Sequence, residues 1–380
     1  MSLNIEARPR SVLLEKTKPN EHGLISVDSL YVAGNHGPCG GVNMALETTH
    51  EELLKVIDIN KILRKMGRPE VEVHTTNPIV HYDPVMNEFR KMGLRHTPDI
   101  KRVTPNSLLL WSAHGHTPED DRIAAELNCE TIDTKCQLVL KPENIVKNAA
   151  KRGDYVILLG SIQSDGSTHP EPRGIMGHAE ETYAANGFDN RLYFIQRPEQ
   201  IENLEIPEGR RIEFISQTTF SKRETKETEE KAIEKWGNQV IVRKGICLAT
   251  DNRQDEVVDI AKKGNIDLFV VVGTLARSHN TKELARCAEE YGIPVLGMED
   301  ETQLTEAKFP IYSGARRLAL TSGASVPDYT GTIRVINWFH ERGTNIIYLD
   351  PLTDEHTSSF RKPVEDINRV DLWLQSKIAA

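Results

Sequence analysis

Residues 29–56, SLYVAGNHGPCGGVNMALETTHEELLKV, decide the fold. A short apolar run is followed by a Gly/Pro-rich turn holding Cys39, and then by apolar residues at helical spacing. The same reading recurs at residues 129–151, CETIDTKCQLVLKPENIVKNAAK, and at 239–263, QVIVRKGICLATDNRQDEVVDIAKK, with Cys136 and Cys247 in the equivalent turn. Strand, cysteine, helix, three times over, is an internal threefold repeat. A pseudo-threefold chain brings the three thiolates to one axis. Three thiolates suit a metal site with one position left open, as catalytic zinc sites leave one for water or substrate. Soft sulfur favours zinc or an iron-sulfur cluster.

The repeat sets the expected organisation: an N-terminal arm at 1–29, α/β repeats at 30–128, 129–240 and 241–342, and a C-terminal tail at 343–380 whose last stretch docks as a helix. Runs such as YVILLG and DLFVVVG are apolar at nearly every position, as strands covered on both faces are. The order β-α-β-α-β-α in each copy predicts a small parallel sheet flanked by helices. The fold class is therefore α/β, three pseudo-threefold-related repeats forming a trefoil around a central cavity. Ligands of such sheets bind beyond the carboxyl ends of the strands.

Two further polar turns per repeat lie at those ends. They carry His81 and His114 in the first repeat, His169, Glu171 and Thr218 in the second, and Ser278, Asn280 and Ser325 in the third. Hydroxyls, imidazoles and an amide at helix starts, where free N–H groups and the helix dipole point the same way, make an anion site, and a phosphate or diphosphate is the natural guest. No GxxxxGK[ST] loop is present. The Gly34, Gly37, Gly40, Gly41 series lacks GxGxxG spacing, and His74 stands where a ribose-binding acid belongs, so no NAD or flavin site is evident and electrons must come from outside. Cys129 and Cys287 fall in a strand start and a helical run and are read as packing residues. His36, His74, His96, His116, His178 and His279 lack the repeated placement, and the run SKRETKETEEKAIEKW reads as a solvated helix face.

Composition narrows the class. The chain has 380 residues, 38% hydrophobic and 27% charged, with a formal charge of −9, which disfavours unspecific attraction to nucleic acid. No apolar run approaches the roughly 20 residues that span a bilayer. Five cysteines are too sparse for a disulfide framework and suit a reducing, cytoplasmic compartment. Residues 1–29 have no apolar signal core and include Glu6, Glu15 and Glu21.

The strings CGGV, IVH, SAHG, THPEPRGIMG, SQTTFS, CLATDNRQ and TSGASVPD extend the reading. Over about residues 30 to 340 the chain resembles the 4-hydroxy-3-methylbut-2-enyl diphosphate reductases, iron-sulfur enzymes that end the methylerythritol phosphate route to isoprenoids. The resemblance implies a [4Fe-4S] cluster held by Cys39, Cys136 and Cys247 with one iron open. It implies diphosphate ligands at His81, His114, His169, Ser278, Asn280 and Ser325, a proton-delivering Glu171 and a substrate-facing Thr218. Val42, Val80 and Val139 would touch the isoprenoid carbons, and ferredoxin or flavodoxin would supply electrons.

Departures from the family pattern lie close to this chemistry. Pro38-Cys39-Gly40-Gly41-Val42 replaces Phe-Cys-Ala-Gly-Val, Lys135-Cys136-Gln137 replaces Thr-Cys-Pro, Tyr82 stands for Asn, and His279 stands for a second serine. The loop SIQSDGST before His169 is longer. A homologue acting on another allylic or small anionic substrate, a quinolinate-synthase-like dehydratase or condensing enzyme, a non-catalytic cluster protein and a zinc protein share the cysteine pattern. The THPE and SQTT strings favour the reductase over the quinolinate-synthase-like enzyme, and the polar ring counts against a non-catalytic cluster protein; elemental analysis separates iron from zinc, and the homologue with another substrate stays open.

Overall fold

The computed structural model describes residues 27–163, 165–243, 245, 247–304, 315–353 and 360–379. In chain order the elements are β1 (Ser29–Val32), α1 (Gly40–Lys65), β2 (Val73–Thr75), α2 (Asp83–Lys91), β3 (Leu94–His96), β4 (Leu108–Trp111), α3 (Pro118–Glu126) and β5 (Glu130–Asp133). There follow α4 (Gln137–Arg152), β6 (Tyr155–Leu159), α5 (Pro170–Ala185), β7 (Leu192–Ile195), β8 (Ile212–Ser216), α6 (Lys222–Trp236) and β9 (Val240–Val242). The third set is α7 (Leu248–Lys263), β10 (Leu268–Val272), α8 (His279–Glu289), β11 (Val295–Met298), β12 (Arg317–Ser322), α9 (Ile333–His340), β13 (Asn345–Tyr348) and α10 (Val364–Ala379).

Three parallel sheets result, ordered β3-β2-β4-β5, β7-β6-β8-β9 and β11-β10-β12-β1-β13. The first four positions follow one pattern in all three, which is the repeat made visible. The strand before each cysteine, however, belongs to the sheet of the preceding lobe: β5 completes the first sheet, β9 the second, and β1 the third, where Ser29 aligns with Arg317. Each cysteine therefore stands where the chain crosses from one lobe to the next. The sheets thus have four, four and five strands: each gives up the leading strand of its own repeat and takes the one that leads into its neighbour, and the fifth strand of the third sheet is β13, from the tail.

Local chemistry sets the element ends. Thr117 with Asp120, and Ser221 with Glu224, form capping boxes at the starts of α3 and α6. Gly153 closes α4 at φ +70°, a conformation that costs a side chain dearly. β10, LFVVV, is buried at every position, as a strand covered on both faces must be. One apolar core runs through lobes one and three, joining Val73 and Leu110 to Leu30, Val270 and Leu320. The second lobe packs separate cores on the two faces of its sheet, around Ile157 and Phe214 and around Val156 and Ile175.

The tail is structural. β13 adds to the third sheet, and α10 docks as expected, sinking Val370 and Leu374 into the shared core. Asp366 accepts a hydrogen bond from the Asp133 backbone at 3.0 Å, and Lys55 meets Asp371 at 2.8 Å. Leu374→Ala removes a side chain that is 2% exposed, and a loss of about 3 kcal/mol is expected in denaturant unfolding. No helix among the described residues is long and apolar enough to cross a membrane.

Candidate active site

Cys39, Cys136 and Cys247 are the residues preceding α1, α4 and α7, and none of their side chains caps its helix. Their backbone N–H groups are held alike, donating to the carbonyls of Ala324, Ala113 and Thr218 at 3.1, 3.0 and 2.9 Å. Those carbonyls come from the equivalent polar turn of each lobe. The three thiols are close enough to act on one another. Burial first, and then the charge of Cys39, pushes the Cys136 thiol up to about 12, and Cys247 is raised by burial and by both of the others. None of the five cysteines forms a disulfide. Gly41 permits the approach, since a Cβ there would lie 2.3 Å from Cys136 Sγ. Buried thiols that give up their protons only against a positive charge fit a metal or an iron-sulfur cluster.

Beside them, α5 starts with His169 as its cap, whose Nδ1 accepts from the Glu171 N–H at 3.3 Å. The neutral ring then carries its proton on Nε2, which faces His81 Nε2 at 3.2 Å. His114 stacks on His81 with ring centroids 4.4 Å apart and meets His169 edge-on at 5.1 Å. Burial lowers all three imidazoles, His81 to about 4, so they are neutral at pH 7. The Glu171 carboxylate is 1% exposed and accepts from Thr218 N at 2.6 Å and Thr218 Oγ1 at 2.9 Å. Burial outweighs these two bonds and lifts the carboxyl to about 7.

The third lobe supplies neutral donors. Ser278 caps α8, accepting from Thr281 N and Thr281 Oγ1 at 3.2 and 2.9 Å, which leaves its own proton to give. Asn280 Oδ1 accepts from Ala324 N at 3.0 Å, while its buried Nδ2 has no partner among the described residues. His114 Nε2 and Ser112 Oγ are likewise buried without partners. Ser325 follows Ala324 in the same turn and is nearly buried. Orphaned polar atoms cost about 1–3 kcal/mol each unless a ligand meets them. A cavity of about 630 Å³ opens outward from His81, His169 and Ser278.

A profile described as LytB protein matches residues 30–337. The chain belongs to the LytB family. It is 32% identical over 298 residues to the 4-hydroxy-3-methylbut-2-enyl diphosphate reductase of Leifsonia xyli, covering 78% of this chain and 79% of that one. Against the enzyme of the same name from Neorickettsia sennetsu it is 28% identical, covering 79% and 88%. The solved E-1-hydroxy-2-methyl-but-2-enyl-4-diphosphate reductase of Plasmodium falciparum superposes with a TM-score of 0.75 at 25% identity, over 91% of this chain and 98% of that one.

Within this LytB chain the departures acquire physical roles. Tyr82 is fully buried, and its hydroxyl donates to the Glu299 carbonyl at 2.7 Å, tying the first lobe to the third. His279 stacks on Phe220 with centroids 4.6 Å apart and meets Glu224 at 2.7 Å, clasping α8 to the second lobe. Val80 is immersed in the shared core and Val42 packs against it, while Val139 is buried in the first turn of α4. Cys129 contacts Ser107 Oγ at 3.5 Å, and Cys287 is fully buried in the third lobe, both as packing residues. The sequence reading missed the rim of the cavity, where Arg173, Arg277, Lys282 and His96 stand. Arg173 lies one helical turn beyond His169, a spacing that marks it as a neighbour of the site.

Proposed function

We propose that this chain is a 4-hydroxy-3-methylbut-2-enyl diphosphate reductase, converting that allylic alcohol to isopentenyl and dimethylallyl diphosphate. The observation that carries the reading is the convergence of three helix-starting cysteines with a buried Glu171–Thr218 pair and three histidines. Cys39, Cys136 and Cys247 would hold a [4Fe-4S] cluster. Bound there, the cluster supplies two electrons one at a time and, at its open iron, a Lewis acid for the substrate oxygen. The balance is two electrons and two protons in, one carbon–oxygen bond broken, one carbon–hydrogen bond made and one water released.

The protein's own residues do the rest. His81, His114, His169, Ser278, Asn280 and Ser325 hold the diphosphate, spending the binding energy of a non-reacting group to position the alcohol. Glu171, near its midpoint at neutral pH, delivers a proton. Thr218 fixes that carboxyl by two hydrogen bonds, and His169 is tied to it through the Glu171 N–H. Val42, Val80 and Val139 provide apolar walls for the isoprenoid carbons. A small external carrier, ferredoxin or flavodoxin, provides the electrons in a reducing, cytoplasmic setting.

Because the proposed ligand set contains no Lys or Arg, the imidazoles must supply the positive charge. Each is neutral when the site is empty, and a diphosphate raises its pKa, so binding takes up protons and strengthens as pH falls. Calorimetry in two buffers of unlike ionisation heat should give an uptake of about one proton at pH 7. Equal heats in both buffers would place the charge elsewhere. The activity is tested by anaerobic turnover of 4-hydroxy-3-methylbut-2-enyl diphosphate with reduced methyl viologen and product identification. Formation of the two diphosphates only with reductant supports the reading, whereas turnover without reductant favours a dehydratase or condensing reaction.

A further inference from the structure

We propose that the exposed face of α4 is the docking surface for a small acidic one-electron carrier protein. The proposal rests on the reductase reading, which requires electrons from outside. The helix begins at Cys136, so its first turn adjoins one of the cluster sulfurs. Gln137, Leu140, Lys141, Asn144, Ile145 and Asn148 share one face by helical spacing and line an open groove of about 680 Å³, closed on its other side by Val242 and Arg243. Leu140 is 40% exposed there, an apolar residue at the centre of a polar rim.

Charge selects the occupant. On a chain of formal charge −9, α4 carries Lys141, Lys147 and Lys151, while Arg152 at its end is already paired with Asp154 and Glu213. Its one acid, Glu143, is buried against Lys135 at 3.1 Å and does not offset them at the surface. Gln137 donates to the Arg361 carbonyl at 3.4 Å, which brings exposed Arg361 to the rim of the same groove. Behind it the Phe360 ring lies 3.5 Å from the Cβ position of Gly41, at the Cys136 sulfur. Lys141 is five residues from Cys136, about 7.5 Å of helical rise. A basic face this close to the sulfur both steers an acidic partner and seats it beside the electron acceptor.

The other basic opening serves less well. Arg173 and Arg277 at the cavity mouth are already paired with Asp120 and Asp83, and a protein seated there would block the path to the histidines.

The test uses an acidic [2Fe-2S] ferredoxin as donor and methyl viologen as a donor that needs no docking surface. Lys141→Glu, alone and with Arg361→Glu, should raise the KM for ferredoxin at least tenfold and flatten its salt dependence. The viologen rate should stay at the wild-type value. Calorimetric titration of oxidised ferredoxin into wild type and Lys141→Glu reads the same surface without turnover, so the surface is testable even if the reductase reading fails. An unchanged ferredoxin KM and affinity in both variants would overturn the proposal, as would a rise caused by Lys282→Glu at the cavity mouth instead.

Discussion

Glu171→Gln is expected to keep its iron and its diphosphate affinity while losing turnover by about two to four orders of magnitude, the usual worth of a positioned general acid. The amide fills the same volume in a site with 1% exposure, and its oxygen can still accept from the Thr218 N–H. It has no proton of the right acidity to give. The wild-type pH profile follows from the same group. A carboxyl lifted to about 7 by burial is protonated, and competent to donate, below that value, and is spent above it. Viologen-supported kcat should therefore fall as pH rises, with a midpoint at or above about 7 because the bound anionic substrate further favours the protonated carboxyl, and Glu171→Gln should show no such limb. A variant turning over at the wild-type rate would remove Glu171 from the proton path.

Cys39→Ser, Cys136→Ser and Cys247→Ser should each fail to retain an intact cluster, while Cys129→Ser and Cys287→Ser retain it. The two groups differ in placement, not in exposure alone. The first three sit at equivalent crossings between lobes, each with its N–H on the carbonyl of an equivalent turn. Cys129 touches Ser107 and Thr104 at the edge of the first lobe, and Cys287 lies against Gln254 at 3.8 Å inside the third. Iron and acid-labile sulfide per chain after anaerobic reconstitution give the answer. Loss of iron in Cys129→Ser with retention in Cys136→Ser would mean that the ligands are misassigned.

The threefold architecture was legible because it rests on patterns that do not depend on distant contacts. Apolar strands, cysteine turns and amphipathic helices recur in register, whereas the close approach of the Cys136 sulfur that Gly41 permits was not read from the Gly series. The borrowing of β1 by the third sheet was not legible, since LYV pairs equally well with any apolar edge until the topology is known. β13 was missed for the same reason. The histidines, Glu171 and Thr218 could be chosen from their turns, but the contacts between them cannot be read from spacing: Glu171 and Thr218 meet across 47 positions. Tyr82 looked like a change to the pocket, whereas its hydrogen bond joins lobes; His279 does line the cavity and also reaches the second lobe, roles that only the partners Glu299 and Glu224 reveal.

That β1 closes the third sheet also governs how the molecule can be made. Ser29–Val32 lies between β12 and β13, so the strand leading to Cys39 finds its partners only after residues 317–348 have left the ribosome. The first two sheets draw all their strands from residues 73–242 and can form during synthesis. Contacts spanning nearly the whole chain come last and slowly. Cys39 therefore takes its final place only after residue 348 has emerged, and any group held jointly with Cys136 and Cys247 would be delivered after that point.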